Sequence, residues 1–247
     1  MTSSAPPPAI VLESVVKDYS YDWRRAKWRA LDGVTFRVAR GTICGLLGPN
    51  GAGKSTTLRV IAALTELSGG RCEVLGMPPM TAVEEGKIGY LPDEPRFDDY
   101  MCGRNQLIAY ARMAGRSLRA ASRAADEMLA LTGLTDAADR RVGGYSRGMR
   151  QRLGIAQAIL NNQEVILLDE PAAALDPRAI DDLMKTIRLL REHAKTVLLA
   201  THFLPHLEEL CDQVVVMEGG RVVFDHDAAG VHAAGGLGPV YLERALR

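Results

Sequence analysis

The sequence predicts an α/β fold, in which a mainly parallel sheet is flanked by helices and a helical subdomain is inserted between its strands. Two observations predict it. From Thr42 onward, short apolar segments rich in Val, Ile and Leu alternate with segments of helical period. Between residues 105 and 131 a long stretch rich in Ala, Leu and Arg interrupts that alternation. At 247 residues the chain has room for one large domain or two small ones.

The N-terminal part of the chain predicts strands rather than helices. Residues 10–16 and 34–38 alternate apolar and polar side chains and are rich in β-branched residues, with residues 31–33 as the turn before the second strand. Residues 23–29 are basic and aromatic. They predict a surface hairpin loop, and a contact with nucleic acid or lipid is the alternative.

The remaining elements follow in an alternating order. A helix is predicted over 55–64 and a short buried strand over 88–92, and the helical stretch 105–131 is broken by Gly115. Further along, strands are predicted over 165–168, 196–200, 213–217 and 221–224, and helices over 149–160, 179–193 and 205–211.

A glycine-rich loop lies between the strand-like run that starts at Thr42 and the helix that follows it. Its residues match G-x-x-x-x-G-K-[ST] and are Gly48, Pro49, Asn50, Gly51, Ala52, Gly53, Lys54 and Ser55. Such a loop wraps phosphates with backbone N–H groups, and the helix N-terminus favours the same negative charge. We expect Lys54 to contact the β- and γ-phosphates, Ser55 to offer its hydroxyl to Mg²⁺, and Thr56 to assist by a hydrogen bond.

Two carboxylates end the apolar strand predicted over 165–168. Asp169 ends a buried strand, where a carboxylate that serves no cation is costly, so it is predicted to hold Mg²⁺ through water. Glu170 follows and is predicted to act as general base on the attacking water. Together with the glycine-rich loop, these residues predict a site that binds Mg-ATP and hydrolyses it.

Residues 145–152, Tyr-Ser-Arg-Gly-Met-Arg-Gln-Arg, closely resemble the signature segment of ATP-binding-cassette (ABC) proteins in the form common among exporter ATPases. Six motifs occur in that family's order: the phosphate loop, Tyr-Leu-Pro at 90–92, the signature, the carboxylate strand, Ala-Leu-Asp at 174–176 and Thr-His at 201–202. The resemblance runs from about residue 9 to 224. It implies the P-loop NTPase fold, with an N-terminal antiparallel β subdomain and an inserted α-helical subdomain.

The resemblance also implies a partner and several residue roles. Two cassettes dock head to tail in this family, so Ser146 and Gly148 would contact the γ-phosphate held by the other copy. Ser146 is also expected to cap a helix. His202 resembles the histidine that contacts the γ-phosphate, and Asp176 the acidic residue that links the two sites.

Two implied positions stay open. Tyr19 is the first candidate to stack on adenine, and the neighbouring aromatic residues Tyr21, Trp23 and Trp28 are the alternatives. Asp93 stands where the family usually has a glutamine. We expect it to keep the role beside the metal, because a carboxylate can hold Mg²⁺ or its water.

Bulk properties limit the partners. Thirty basic residues balance thirty acidic ones, so no global positive field draws the chain to nucleic acid or anionic lipid, and no nucleic-acid partner is expected. Four scattered cysteines without metal-ligand spacing predict reduced thiols in a cytosolic protein. No apolar run reaches the ~18–20 residues that span a bilayer.

The sequence therefore predicts the ATP-hydrolysing subunit of a membrane transporter, peripheral on the inner face of the cell membrane through separate integral membrane permease subunits. Export is favoured over import. A soluble cassette with a regulatory, nucleic-acid or ribosome-associated role is the other alternative. The predicted organisation is a disordered leader over 1–8, an ABC ATPase domain over 9–225 with its helical subdomain at about 94–160, and a short extension over 226–247.

Overall fold

The computed structural model describes residues 7–21, 26–173, 175–202, 207–233 and 236–237. Its larger sheet has six strands in the order β5-β6-β7-β3-β8-β9. They are β3 (Ile43–Leu47), β5 (Ile88–Leu91), β6 (Val165–Asp169), β7 (Thr196–Thr201), β8 (Gln213–Glu218) and β9 (Arg221–Asp227). All neighbours are parallel except β8 and β9. The predicted α/β class with a mainly parallel sheet is confirmed.

The central strands are continuous apolar runs because both faces of the sheet are covered. Every residue of β3, β6 and β7 is buried. Successive residues of β3 enter different cores: Cys44 and Leu46 pack with the smaller sheet and its neighbours, whereas Ile43 and Leu47 pack on the opposite face.

The smaller sheet is antiparallel and contains β1 (Ile10–Tyr21), β2 (Ala26–Val38) and β4 (Gly69–Val74), in the order β2-β1-β4. The prediction of a turn over 31–33 is wrong, because β2 runs through these residues. Gly33, at φ +75°, lies where the register of β1 and β2 shifts. The turn-like residues therefore belong to a β-bulge within the strand. The described part of the predicted 23–29 loop is also strand, and residues 22–25 lie outside the described part of the chain. The short strand β4 was not predicted, since it begins with two glycines.

Eight α-helices occur in the described part of the chain. They are α1 (Lys54–Ile61), α2 (Pro79–Glu84), α3 (Gly103–Met113), α4 (Leu118–Leu131), α5 (Arg147–Ile159), α6 (Pro177–Glu192), α7 (Leu207–Leu210) and α8 (Ala228–Ala233). The predicted break at Gly115 is confirmed, since it separates α3 from α4 with φ +86°. The predicted helix 205–211 is observed only as α7, and residues 203–206 lie outside the described ranges.

Helices α3, α4 and α5 share a core of their own. Leu107, Ala125, Leu129 and Leu153 are buried in it, and small alanine side chains let the helices approach closely. Within the described ranges, no helix has the length and apolar content needed to cross a bilayer. All four cysteines are free thiols, and three of them are buried.

Candidate active site

The glycine-rich loop lies at the carboxyl end of β3 and leads directly into α1 at Lys54. Gly53 precedes the helix at φ +103°, a backbone conformation that side chains disfavour. A Cβ atom there would lie 2.9 Å from the backbone oxygen of Ala30. A Cβ atom at Gly48 would collide with the backbone oxygen of Met217. Close packing against the neighbouring chain segments therefore requires these two glycines, besides any need to approach a phosphate.

A cavity of about 250 Å³ opens beside this loop. The loop and first helical residues that line it are Asn50, Gly51, Ala52, Gly53, Lys54, Ser55 and Thr56, and Trp28, Asp93 and Glu170 complete the wall. The structure thus brings together residues that are far apart in sequence. The remaining two loop residues, Gly48 and Pro49, accept hydrogen bonds from Lys54 Nζ through their backbone oxygens, at 2.7 and 3.2 Å.

The Lys54 ammonium is held between these carbonyl oxygens and an acid. Lys54 is only 5% exposed, and Nζ lies 3.5 Å from Glu170 Oε1. Lys54 is a buried cation whose hydrogen-bond acceptors are neutral backbone oxygens. It is suited to contact an incoming anion, because phosphate oxygens can replace these carbonyl oxygens as acceptors.

Asp169 is the last residue of β6, and its carboxylate contacts Ser55. The Ser55 hydroxyl donates to Asp169 Oδ1 at 3.0 Å, and Asp169 is 1% exposed. The pKa of the Asp169 carboxyl is raised to about 6, mainly because burial disfavours its charged form. The negative charges of Asp93 and Glu170 raise this pKa as well, whereas the hydrogen bond from Ser55 lowers it. A serine hydroxyl and a carboxylate are hard oxygen ligands, so Ser55 and Asp169 fit Mg²⁺.

Glu170 is the most constrained acid of the site. It has φ +47°, which is rare for a residue with a side chain and costs on the order of 1 kcal/mol or more. Three donors hold its carboxylate: His202 Nδ1 lies 2.9 Å from Oε1, and the Thr201 hydroxyl and His202 N–H lie 3.1 and 3.4 Å from Oε2. This fixed carboxylate lines the cavity and can accept a proton from a water beside the phosphates.

Sequence reasoning gave no role to Thr201 as a Glu170 donor or to Gln151. Gln151 is 2% exposed and directs Nε2 toward the backbone oxygen of Glu170 at 3.5 Å, which links α5 to the end of β6. Thr201 lies in the predicted Thr-His motif, and its polar side chain at the end of an apolar strand was the available signal.

Two aromatic residues flank the cavity in different ways. Trp28 lines it and is 47% exposed, whereas Tyr19 stacks on Trp28 with ring centroids 5.8 Å apart. Lys17 Nζ lies 4.9 Å from the centroid of the Tyr19 ring. Of the other candidates, Trp23 and the side chain of Tyr21 lie outside the described part of the chain.

The signature residues do not line this cavity. Ser146 caps α5, its Oγ accepting from Met149 N at 3.2 Å, and this predicted cap is confirmed. Asp176 caps α6 in the same way, accepting from Ala179 N at 2.9 Å. Ser146 and Asp176 are exposed and Gly148 is half-buried. The three residues are therefore accessible from outside the chain.

A family model described as ABC transporter matches residues 31–173, which is more than half of the chain. The chain belongs to the ABC transporter family. The matched region contains the glycine-rich loop, the signature and both carboxylates of this cassette.

Relatives agree with that membership. The cassette is 37% identical over 218 residues to the daunorubicin resistance ATP-binding protein DrrA2 of Streptomyces coeruleorubidus, matching 87% of this chain and 68% of that protein. It is also 37% identical over 193 residues to the Nod factor export ATP-binding protein I of Rhizobium sp. (strain N33), matching 77% of this chain and 64% of that protein. The cassette thus spans about two thirds of the length of these relatives.

A solved structure described as the ATP binding subunit of an ABC transporter superposes with a TM-score of 0.84 at 27% identity, over 95% of this chain and 98% of that one. Family, relatives and fold agree, so the predictions of family, P-loop NTPase fold and ATPase activity are confirmed. The cassette is an ATP-binding subunit with ATPase activity.

Proposed function

We propose that the cassette hydrolyses Mg-ATP between two copies of itself and uses the resulting opening and closing to drive export through separate integral membrane permease subunits. The observation that carries the proposal is a single cavity of this chain that is lined by Lys54, Ser55 and Glu170 and lies beside the buried Asp169. A cation, a hydroxyl and a fixed carboxylate in one cavity, with a buried acid beside it, are the groups that phosphoryl transfer to water needs.

The phosphates are proposed to bind along the glycine-rich loop at the N-terminus of α1, because the free backbone N–H groups of a helix N-terminus favour an anion. Lys54 then exchanges the oxygens of Gly48 and Pro49 for phosphate oxygens. Mg²⁺ would be held by Ser55 and Asp169, with Asp93 on the same side, and would neutralise charge on the phosphates.

Glu170 is proposed to accept the proton of the attacking water. Thr201 and His202 hold its carboxylate, and the exposed His202 ring is proposed to contact the γ-phosphate as well. The adenine ring is proposed to stack on Trp28, since it lines the cavity, with Tyr19 supporting Trp28 from the side.

The second copy is proposed to supply Ser146 and Gly148 to the γ-phosphate and Asp176 to the junction of the two sites. Their accessibility supports this proposal, as does the fact that they do not line the cavity of their own chain. Ser146 and Gly148 lie at the start of α5, a helix N-terminus that favours an anion.

Export is proposed from the relatives, one of which is named for Nod factor export and another for daunorubicin resistance. Permease subunits are proposed to dock near residues 93–107, where Asp93 at the nucleotide cavity leads into α3. The cassette would then work in the cytoplasm, at the inner face of the membrane.

The test compares ATP turnover and assembly of Glu170→Gln with the parent. The variant is expected to bind ATP, lose turnover by at least about a hundredfold, and accumulate as an ATP-bound dimer in size-exclusion chromatography. Glu192→Gln, which changes an exposed acid on α6, is the matched control and should hydrolyse ATP normally. Normal turnover by Glu170→Gln would contradict the base assignment. Co-purification with ribosomes or DNA, without a membrane protein, would contradict transport.

A further inference from the structure

The turn between α3 and α4 concentrates positive charge in a neutral chain. Residues 112–123 contain four arginines and no acid, although the whole chain has thirty basic and thirty acidic residues. We call Arg112, Met113, Arg116, Leu118, Arg119 and Arg123 the basic tip. Since the rest of the chain is net negative, attraction to an anionic surface has to come from a local cluster such as this one.

The basic tip also exposes apolar surface. Met113 is 83% exposed at the end of α3, and Leu118 is 64% exposed at the start of α4. Arg112, Arg119 and Arg123 are exposed, and none of the four arginines forms an ion pair within the described part of the chain. Arg112 instead donates to the backbone oxygen of Arg116 at 2.8 Å.

The backbone of the basic tip forms several hydrogen bonds of its own. Gly115 N donates to Arg112 O at 2.9 Å, and Arg116 N donates to Ala111 O at 3.1 Å, which closes the end of α3. Ser117 caps α4 by accepting from Ala120 N at 3.3 Å. A closed turn that projects cations and apolar side chains loses little conformational freedom when it binds.

We propose that the basic tip binds the surface of an anionic lipid bilayer, with the arginines at the headgroups and with Met113 and Leu118 entering the interface. The pairing of charge with two large exposed apolar residues favours lipid over an acidic polypeptide, which the charge alone would equally attract. The basic tip is the turn of a helical hairpin. Such a projecting end fits the flat surface of a bilayer better than it fits a groove.

The position of the basic tip is compatible with the proposed permease contact, and lipid binding there would be a contact additional to it. The permease is proposed to dock near the start of α3, and α3 has eleven residues, so the basic tip lies about 16 Å farther along the helix. A helix that lies along the membrane would bring both ends near it. Lipid binding would then anchor the helical subdomain beside the permease without a spanning segment.

The experiment measures co-sedimentation of the purified full chain with vesicles of phosphatidylcholine alone or with about 30 mol % phosphatidylglycerol. We expect binding only to the anionic vesicles, with loss of binding at about 0.5 M salt. Arg119→Gln with Arg123→Gln should lower the partition coefficient about 25-fold, or about fivefold for each arginine. Met113→Ser with Leu118→Ser should lower it about tenfold. Arg119→Lys with Arg123→Lys should keep the charge and the binding.

Matched controls change the same properties elsewhere. Arg37→Gln with Arg71→Gln removes two charges from arginines that lie beside Glu13 in the smaller sheet, and Leu64→Ser removes a 62% exposed apolar side chain. These controls should bind vesicles like the parent. Basal ATPase activity should be unchanged in the basic-tip variants, so this proposal and the proposed ATPase site fail separately.

Failure of the parent to bind anionic vesicles would overturn the proposal, as would an equal loss in the controls. Polyglutamate serves as the acidic-polypeptide probe. If polyglutamate binds the basic tip and competes away the vesicles, and Met113→Ser with Leu118→Ser binds vesicles like the parent, the surface recognises acidic polypeptides and not lipid.

Discussion

Thr201→Val tests whether the orientation of Glu170 governs turnover. Valine keeps the size and branching of threonine and removes the hydroxyl that donates to Glu170 Oε2 at 3.1 Å. The remaining donor to that oxygen, His202 N–H, is longer at 3.4 Å, while His202 Nδ1 still holds Oε1 at 2.9 Å. The carboxylate would therefore keep one strong contact and gain rotational freedom.

The magnitude follows from the charge on the acceptor. A hydrogen bond to a charged group contributes about 1.5–3 kcal/mol, and about 1.4 kcal/mol corresponds to a tenfold change in rate. If the whole bond served to position the base, kcat would fall about 10- to 100-fold. Because His202 retains Oε1, we expect the lower end, about tenfold, with little change in ATP affinity.

The assay is steady-state phosphate release, combined with ATP titration at equilibrium. Thr186→Val is the matched control: its hydroxyl donates to Asp182 O at 2.9 Å within α6, and its side chain is similarly buried. A kcat for Thr201→Val within twofold of the parent, or an equal fall in the Thr186→Val control, would refute the reasoning.

Three further predictions address the cavity, the helical core and the thiols. Trp28→Ala should weaken ATP binding about tenfold and more than Tyr19→Ala does, since base stacking contributes about 1–3 kcal/mol; titration with ATP and with triphosphate alone separates stacking from phosphate contacts. Leu129→Ala should lower the free energy of unfolding by about 2–5 kcal/mol in urea titrations, because the side chain is 1% exposed; a loss below about 1 kcal/mol would contradict the packing. Cys102 should react with a thiol reagent before the other cysteines, which are buried. Burial raises the pKa of Cys72 and of Cys211 to about 12, so these thiols rarely form the reactive thiolate. Fast labelling of more than one thiol in the native protein would contradict the prediction.

The sequence predicted the larger sheet well because its central strands β3, β6 and β7 are buried on both faces. Such strands are continuous apolar runs that end at a polar residue, as β6 does at Asp169. The glycine-rich loop is equally visible, since its function requires particular residues at fixed spacing. The residues that the structure brings into one cavity were therefore almost all predicted individually.

The smaller sheet was predicted less well because its strands are long, partly exposed and irregular. The register of β1 and β2 shifts at three places, so alternation is lost where Gly33 and Asp32 suggest a turn. Cross-strand contacts stabilise this region instead: Arg29 Nε lies 2.9 Å from Asp18 Oδ1, and Arg221 binds Asp32. Sequence patterns do not show which residues will face each other across a bulge, and this also left the adenine-stacking residue open.

The arrangement around Glu170 connects nucleotide binding with the readiness of the base. In this structure Glu170 Oε1 lies 2.9 Å from His202 Nδ1 and 3.5 Å from Lys54 Nζ, so one carboxylate oxygen faces two groups that are both proposed to contact the phosphates. An incoming γ-phosphate would compete with Glu170 for both of them. Loss of those contacts would leave the carboxylate held at Oε2 by the Thr201 hydroxyl and the His202 N–H. Binding of the nucleotide would therefore free Glu170 Oε1 to accept a hydrogen bond from a water that lies between it and the phosphate.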